Sequence, residues 1–279
     1  MIRPVTHRVC GACASVPEPA AACRQDVQCR MEFKDHFSRL AAEYSAFRPT
    51  YPSGIFEYLA GVCRQRQLAW DCACGNGQAT VSLAGHFQQV IGTDASEKQI
   101  AAAVPHSGIT YRVASGERSG LASSSVDLVT VAQALHWLDL PLFFAEVARV
   151  LRPGGILAVW TYGPLHIEGT ETDRLIQDFY SAIVGPYWPP ERKLVDAGYQ
   201  GIALPFRPLE PPPFDMRERW NRDRLLGYVR TWSATARYVE RNALDPVVAL
   251  EDRLASGWPD RESPREILWP LTLRVSCKD

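Results

Sequence analysis

Short apolar runs alternate along the chain with segments in which apolar side chains recur every three or four residues. A continuous apolar run is typical of a strand buried on both faces, and the longer period is typical of an amphipathic helix. The predicted strands are 68–70, 90–93, 109–113, 126–131, 156–160 and 267–275. The predicted helices are 31–46, 54–66, 78–86, 96–104, 142–151, 170–184, 221–232 and 246–256.

The order of these elements indicates an α/β fold. Strands that alternate with helices form a parallel sheet, and the apolar strands require helices on both of its faces. After about residue 163 the alternation gives way to prolines and aromatic side chains, including the triplet at 211–213. We interpret residues 163–260 as a loop-rich lid over the α/β core rather than as a separate domain.

The first thirty residues are rich in Ala, Pro and Cys and have no helical or strand period. Because an amphipathic pattern begins at Met31, we expect residues 1–30 to be a flexible or extended tail, an upstream extension of a domain over 31–279. Zinc binding is the alternative, since thiolates at a Cys-x-x-Cys spacing hold that metal. The four candidate ligands are Cys10, Cys13, Cys23 and Cys29.

Composition narrows the class of protein. The chain has 279 residues, of which 46% are apolar, and this is typical of a packed globular protein. Lys and Arg number 30 against 31 Asp and Glu, so no basic excess indicates a nucleic-acid partner. No apolar run is long enough to predict a membrane span. The cysteine spacing suggests no disulfide framework, so we expect a cytoplasmic protein, either a monomer or a homodimer.

The most informative residues follow the first predicted strand. Asp71 ends that strand, and Gly75 and Gly77 lie in the turn before the next helix, where a backbone without side chains lets a ligand approach closely. Asp94 ends the second strand and is placed to bind ribose hydroxyls. Both NAD and adenosine ligands fit this pattern.

Two details favour an adenosine ligand that has no pyrophosphate. A dinucleotide-binding loop places a small residue at position 80 for close helix packing, and Thr80 stands there. Asp71 would repel a pyrophosphate, but its carboxylate can accept a hydrogen bond, directly or through water, from a cationic amino acid. The histidines show no metal-ligand spacing, and we predict no metal site in the core.

These residues resemble motif I of the class I S-adenosylmethionine-dependent methyltransferases, in the form Asp71-x-Ala73-x-Gly75-x-Gly77. Residues 93–96, 125–129 and 151–155 are similar, in the same order, to the segments around the family's second, fourth and fifth strands. Residues 47–52, 132–137 and 228–233 resemble its small-molecule branch, methyltransferase type 11, which includes trans-aconitate methyltransferase-like proteins. The resemblance covers most of the chain after Met31.

The resemblance implies a Rossmann-like, mostly parallel seven-stranded sheet with a C-terminal antiparallel strand. It also implies that the protein is an enzyme that uses S-adenosyl-L-methionine to methylate a small molecule, on a carboxylate or hydroxyl oxygen. The residues that it places at the cofactor are Tyr44, Arg48, Asp71, Ala73, Gly75, Gly77, Asp94, Ala95, Ser115, Gly116, Glu117, Gln133 and Ala134.

Several of these positions have specific implied roles. Gly75 and Gly77 line the methionine portion, Asp94 holds the ribose hydroxyls, and Ala95 lies against the adenine. Tyr44 and Arg48 fold over the cofactor, with Arg48 meeting its carboxylate as a charge-assisted pair.

The chain departs from the family at two positions. Ala73 replaces the usual first glycine, which is tolerable where the backbone needs no positive φ. Ser115 stands where the family often has an aspartate, so the carboxylate that would contact the adenine amino group is missing. These departures leave open a catalytically silent binding module, and an NAD-dependent oxidoreductase is a further alternative.

The catalytic candidate is His136, as a general base or a substrate contact; a structural histidine packed beside Trp137 is the alternative. In the lid, aromatic side chains are expected either to wall an apolar pocket or to pack, and arginines either to bind a carboxylate or to be solvated. The candidates are Trp188, Trp220, Trp232, Arg192, Arg207 and Arg230.

Overall fold

A computed structural model describes residues 47–279. Its strands are β1 Leu68–Cys72, β2 Gln89–Asp94, β3 Ile109–Val113, β4 Val126–Ala132, β5 Leu151–Tyr162, β6 His166–Ile167, β7 Arg207–Leu209, β8 Met216–Trp220, β9 Arg265–Trp269 and β10 Leu271–Cys277. Its α-helices are α1 Ser53–Val62, α2 Gln78–Ala84, α3 Glu97–Ala101, α4 Leu140–Val150, α5 Thr170–Asp178, α6 Arg192–Asp196, α7 Arg222–Arg230, α8 Ser233–Asn242 and α9 Pro246–Gly257.

Seven strands form one sheet in the order β3-β2-β1-β4-β5-β10-β7. The five strands from β3 to β5 are mutually parallel, and β10 runs antiparallel to both β5 and β7. This confirms the predicted mostly parallel sheet with a C-terminal antiparallel strand. The strand order reverses between β1 and β4, which is the point where open α/β sheets bind ligands at the carboxyl ends of their strands.

The central strands are apolar because helices cover both faces of the sheet. Ala69 and Trp70 in β1 and Leu128 and Val129 in β4 have no exposed surface, and they pack into two separate core clusters, one on each face. Among the residues of these strands, Asp71 on β1 is a carboxyl group with no exposed surface. A charge at such a position requires compensation or a function.

The region predicted as a loop-rich lid, extended in the structure by residues 265–269, has a sheet and a core of its own; we call this whole region the lid. Strands β6, β9 and β8 form a three-stranded antiparallel sheet, and Trp220, Trp258 and Trp269 are at most 1% exposed. In β8, buried Met216 and Trp220 flank exposed arginines, and this alternation is the sequence signal for the strand. Proline content obscured it, because Pro indicates loops when read alone.

The predicted strand over 267–275 is wrong as a single element. It is two strands that belong to different sheets, β9 in the lid and β10 in the main sheet. Pro270 separates them, because proline has no N–H to donate to a ladder. Its carbonyl accepts a hydrogen bond from Gly163 N at 2.9 Å.

Helix lengths also differ from the prediction. The helix predicted over 170–184 ends as an α-helix at Asp178, and one π-helical segment, Phe179–Ile183, follows it. The helix predicted over 54–66 ends at Val62. The helix predicted over 31–46 and the tail over 1–30, with its zinc hypothesis, lie outside the described residues. No helix within 47–279 is both long and apolar enough to span a membrane.

Candidate active site

In the loop after β1, every second residue has a positive φ. Ala73, Gly75 and Gly77 have φ values of 53°, 56° and 90°, in the left-handed region that favours glycine. From the sequence, alanine is tolerable at position 73 only if the backbone needs no positive φ there. The structure has a positive φ at Ala73, so that condition is not met. Ala73 adopts the left-handed conformation that a glycine would adopt, at a cost in folding free energy of about 1 kcal/mol. The loop therefore keeps its shape although the glycine is absent.

Glycine is required at position 77 because another residue already occupies the space that a Cβ atom would take. A Cβ atom there would collide with the phenol of Tyr111 in β3, which reaches beneath the loop from the second neighbouring strand. The Tyr111 hydroxyl has no hydrogen-bond partner in residues 47–279, and burial raises its pKa to about 12. This ring supports the loop from below, while the side of Gly75 where a Cβ would point has no atom closer than 3.8 Å.

The Asp71 carboxylate lies one layer behind the loop. Its two oxygens accept hydrogen bonds from the hydroxyls of Thr80 at 2.6 Å and Thr130 at 2.8 Å. No basic side chain in residues 47–279 forms an ion pair with it, and burial raises its pKa from 3.8 to about 6. A direct contact between Asp71 and a ligand is not available in this arrangement, because the side chain has no exposed surface.

The second acid, Asp94, ties the two ligand-facing turns together. Its oxygens accept hydrogen bonds from Gly75 N and Ser96 N, each at 2.9 Å. Ser96 caps α3 by accepting from Gln99 N. Ala95 between them is exposed, as a residue that lies against an adenine must be.

Residues 115–117, which follow β3, shape the site through their backbone more than through their side chains. Gly116 is buried, and a Cβ atom there would lie 2.9 Å from Cys72 Sγ. The Glu117 carboxylate accepts a hydrogen bond from Asp139 N at 2.9 Å, a capping interaction at the start of α4. Ser115 is exposed.

Gln133 follows β4 with a positive φ of 56°. Its amide is held on both sides, since Nε2 donates to Tyr162 O at 3.3 Å and the Thr161 hydroxyl donates to Oε1. Ala134, the next residue, is 8% exposed. This fixed turn lies at the carboxyl edge of the sheet beside β5.

His136 is held by Tyr199, whose hydroxyl lies 2.8 Å from Nδ1. Burial, and next the charge of Arg192, lower the His136 pKa to about 3, so the ring is neutral at pH 7. A group with such a low pKa is a weak general base. Trp137 packs against the ring at 4.7 Å between centroids, as the structural alternative predicts, yet His136 also lines a cavity.

That cavity has a volume of about 70 Å³ and lies between the carboxyl edge of the sheet and the lid. Among residues 47–279, its lining contains aromatic rings, two guanidinium groups and no carboxylate side chain. The lining residues are Arg48, Gln133, His136, Tyr162, Gly163, Pro164, Leu165, Tyr180, Trp188, Arg192, Val195, Tyr228, Trp232 and Ser233.

Arg192 is the lid arginine that reaches the cavity. Its Nε donates to Tyr180 Oη at 2.8 Å and to Asp196 Oδ1 at 2.9 Å, and its guanidinium stacks 4.6 Å from the Trp188 ring. Its two terminal nitrogens have no hydrogen-bond partner within residues 47–279. Arg192 is thus oriented by its neighbours and keeps two donors for a ligand.

The other lid candidates have structural roles. Arg230 pairs with Asp245 and Glu251 on the surface, and exposed Arg207 lies near the chain end, 3.5 Å from Asp279. Trp220 belongs to the lid core. Trp188 and Trp232 do line the cavity.

Arg48 enters the cavity from the turn before α1. Its terminal nitrogens donate to Tyr162 Oη at 3.3 Å and Thr231 O at 3.4 Å, and its guanidinium lies 5.4 Å from the Tyr228 ring centroid. Tyr44, its predicted companion, lies outside the described residues. Sequence reasoning missed Tyr162 and Tyr180, because isolated tyrosines in separate segments carry no local signal, and it included Tyr228 only as part of the segment 228–233.

The site can be tested against the cofactor that the resemblance implies, a sulfonium nucleoside with an amino-acid tail. Asp71 is a buried acid without a basic partner in the described chain, which fits a ligand that brings positive charge. The loop offers an open face at Gly75 and an exposed Ala95. The residues present therefore fit that cofactor. Within 47–279, no group of three or more potential metal ligands occurs.

Comparison with known proteins gives consistent matches. The family described as "Methyltransferase domain" matches residues 70–159. A Dictyostelium discoideum protein named as a methyltransferase is 32% identical over 254 residues, which cover 89% of this chain and 97% of that protein. A Saccharomyces cerevisiae protein named as an S-adenosylmethionine-dependent methyltransferase is 32% identical over 131 residues, covering 44% of this chain and 45% of that protein.

A solved structure agrees over nearly its whole length. The structure named as a type II methyltransferase from Anaeromyxobacter dehalogenans superposes with a TM-score of 0.78 at 41% identity. The match covers 83% of this chain and 98% of that one, so it includes lid as well as sheet.

Proposed function

The chain belongs to the class I S-adenosylmethionine-dependent methyltransferases, and we propose that it methylates a carboxylate oxygen of a small acceptor bound between Arg192 and His136. S-adenosylmethionine is its cofactor, and family membership decides against the NAD-dependent alternative. The resemblance to trans-aconitate methyltransferase-like proteins, the cytoplasmic location and the oligomeric state stay predictions.

The observation that carries the proposal is the charge of the cavity. Arg192 supplies a guanidinium group to its wall, and no carboxylate side chain is among the described residues that line it. A planar guanidinium with free terminal nitrogens pairs well with a carboxylate. The ion pair of Arg192 with Asp196 uses its Nε, which leaves the terminal nitrogens for the acceptor.

Histidine chemistry supports the same acceptor. A hydroxyl or amine acceptor needs a general base, and His136 is a poor one because its pKa is lowered to about 3. An ionised carboxylate already carries the electron pair that attacks, so no proton has to be removed. We assign to His136 a contact with the acceptor rather than a base.

On the cofactor side we assign the roles that the residue pattern predicts. Asp94 holds the ribose hydroxyls, Gly75 and Gly77 line the methionine portion, and Arg48 meets its carboxylate. Asp71 acts from behind the loop through its charge. When bound, S-adenosylmethionine supplies an electrophilic methyl group on a sulfonium.

The protein contributes alignment and exclusion of water. Arg192 orients the acceptor carboxylate toward the cofactor side, and the rings of Trp188 and Trp232 cover the cavity. Holding two reactants in line is the largest contribution that a methyltransferase without a base can make. The loop shape preserved at Ala73 argues for an active enzyme over a silent binding module.

The test uses matched pairs of acceptors. The purified protein is incubated with S-adenosylmethionine labelled in the methyl group and with small carboxylic acids, each paired with its carboxamide and its alcohol. We expect label transfer to acids alone, and release of volatile labelled methanol when the product is treated with alkali, because methyl esters hydrolyse. Base-stable products from alcohols or carboxamides, or no product from any acid, would contradict the proposal.

A further inference from the structure

Two segments that carry the family resemblance contact each other across the cavity. Residues 47–50, called here the arginine strap, lead into α1, and the second segment spans the end of α7. Arg48 donates to Thr231 O in the second segment, and its guanidinium lies beside Tyr228. The strap is therefore attached to the lid at the point where Arg48 enters the cavity.

The first anchor of the arginine strap is a glycine in the middle of a helix. Gly227 lies inside α7, where glycine is unfavourable relative to alanine. A Cβ atom at this position would collide with the ring of Phe47, since three ring carbons occupy its place. Gly227 thus makes the seat in which Phe47, the residue before Arg48, packs.

The second anchor is a carboxylate on β8. Glu218 Oε1 accepts two hydrogen bonds from Thr50, from the backbone N at 2.7 Å and from Oγ1 at 2.9 Å. Its other oxygen pairs with Arg224 at 2.9 Å. Glu218 therefore holds the strap two residues after Arg48, while Gly227 holds it one residue before.

A third contact joins the strap to the cofactor loop. Gln78, the first residue of α2 and the neighbour of Gly77, donates from Nε2 to Pro49 O at 2.7 Å. Pro49 itself is buried, and its ring restricts φ. Arg48 is consequently fixed on both sides by contacts that lead to the lid and to the glycine loop.

We propose that Gly227 and Glu218 are positioning residues that hold the Arg48 guanidinium where the carboxylate of S-adenosylmethionine binds. This inference rests on the role assigned to Arg48 under the proposed function. Preorganisation is the physical reason: a long arginine side chain loses much freedom on binding unless its backbone is already held.

The test is a double-mutant cycle read by calorimetry with S-adenosylhomocysteine as the probe. A charge-assisted hydrogen bond is worth a factor of about 10 to 100 in affinity, so R48M should weaken binding by about that much. We expect G227A to weaken it about tenfold in the parent and less than about twofold in R48M, since the loss runs through Arg48. Gly61 in α1 is the matched control, because a Cβ there meets nothing within 4 Å, and G61A should bind like the parent.

The outcomes separate two kinds of failure. If R48M binds S-adenosylhomocysteine with the parental affinity, Arg48 does not hold the cofactor carboxylate, and the inference fails together with that role. Weak binding in R48M together with parental binding in G227A, or equal losses from G227A in both backgrounds, would overturn the positioning role alone. If G227A does not fold, by circular dichroism, F47A replaces it in the same cycle with the same expectations, because Phe47 is only half-buried.

Discussion

The two sides of the cavity are built in different ways. On the cofactor side, one loop and the ends of β1, β2 and β4 supply the groups, and backbone conformation does most of the shaping. On the acceptor side, the groups come from segments that are far apart in sequence: the end of β5, the π-helical segment, α6 and the end of α7. Apart from Arg48, which the arginine strap brings to it, the cofactor side is thus local, and the acceptor side exists only through packing.

The two sides also differ in charge. The cofactor side contains the buried acids Asp71 and Asp94, while the acceptor side contains Arg192 and aromatic rings. Variants on one side should therefore leave binding on the other side unchanged. The predictions below test that separation, beginning with the largest effect.

Asp94→Ala should reduce affinity for S-adenosylhomocysteine by at least about a hundredfold, as measured by calorimetry. The change removes the acceptor of two ribose hydroxyls and releases Gly75 N and Ser96 N, and each such bond to a charge is worth about 1.5–3 kcal/mol. Glu97→Ala, an exposed acid three residues later, is the control and should bind like the parent. If Asp94→Ala binds S-adenosylhomocysteine as tightly as the parent, the ribose-binding role that we assign to Asp94 is wrong.

Asp71→Asn should change the pH dependence of stability. A carboxyl whose pKa is raised in the folded state binds its proton more tightly there, so the free energy of unfolding falls as pH rises from about 4 to about 6. The rise from 3.8 to about 6 corresponds to about 3 kcal/mol. Denaturant unfolding of parent and variant should show that difference: between pH 4 and 7, the free energy of unfolding of the variant minus that of the parent should rise by about 3 kcal/mol.

His136 titrates in the opposite sense and must be separated from Asp71. Its lowered pKa means that stability is lost as pH falls below about 6.5 toward 3. Subtracting the variant from the parent cancels this contribution, because both retain His136. Equal pH profiles for the parent and Asp71→Asn would contradict a raised pKa at Asp71.

Arg192→Met should raise the KM for the carboxylate acceptor about 10- to 100-fold and leave the affinity for S-adenosylhomocysteine unchanged. The reason is the loss of a charge-assisted pair on the acceptor side alone. Arg230→Met is the matched control, because Arg230 pairs with surface acids outside the cavity. Weaker binding of S-adenosylhomocysteine by Arg192→Met would contradict the separation of the cofactor side from the acceptor side.

Ala73→Gly should stabilise the protein by about 0.5–1 kcal/mol in denaturant unfolding, since glycine adopts φ of 53° without a steric penalty. Ala145→Gly, on the exposed face of α4, should destabilise by about 1 kcal/mol because its backbone is helical. Opposite signs are the expected result. Two losses of stability would mean that the left-handed turn at Ala73 carries no strain.

The cofactor side was predictable because its signals are contiguous. Gly75, Gly77 and Asp94 stand at strand ends that any parallel sheet brings to one edge. What the sequence did not reveal is that the Asp71 oxygens are taken by Thr80 and Thr130. Thr80 was noted only for its size, and Thr130 reads as one more residue of an apolar strand. Tyr111 beneath Gly77 was missed for the same reason.

The acceptor side was predictable only in composition. Prolines, tryptophans and arginines in 163–260 indicated a lid, but Arg192 could not be separated from Arg207 and Arg230. Their surroundings differ by contacts with Trp188, Tyr180 and Asp196, and these contacts depend on how α6 and the π-helical segment pack. The division of 267–275 between two sheets likewise depends on partners from distant parts of the chain.

By itself, the sequence determined the order of strands and helices up to β5, the glycine loop and the acids at the strand ends. These depend on local periodicity, on backbone conformations that few residues adopt, and on the rule that parallel strands align their carboxyl ends. Only the tertiary structure decided which arginine faces the cavity, which histidine nitrogen is occupied, and how Gly227 and Glu218 hold the arginine strap. Those features are contacts between residues separated by tens to hundreds of positions, and no local pattern encodes them.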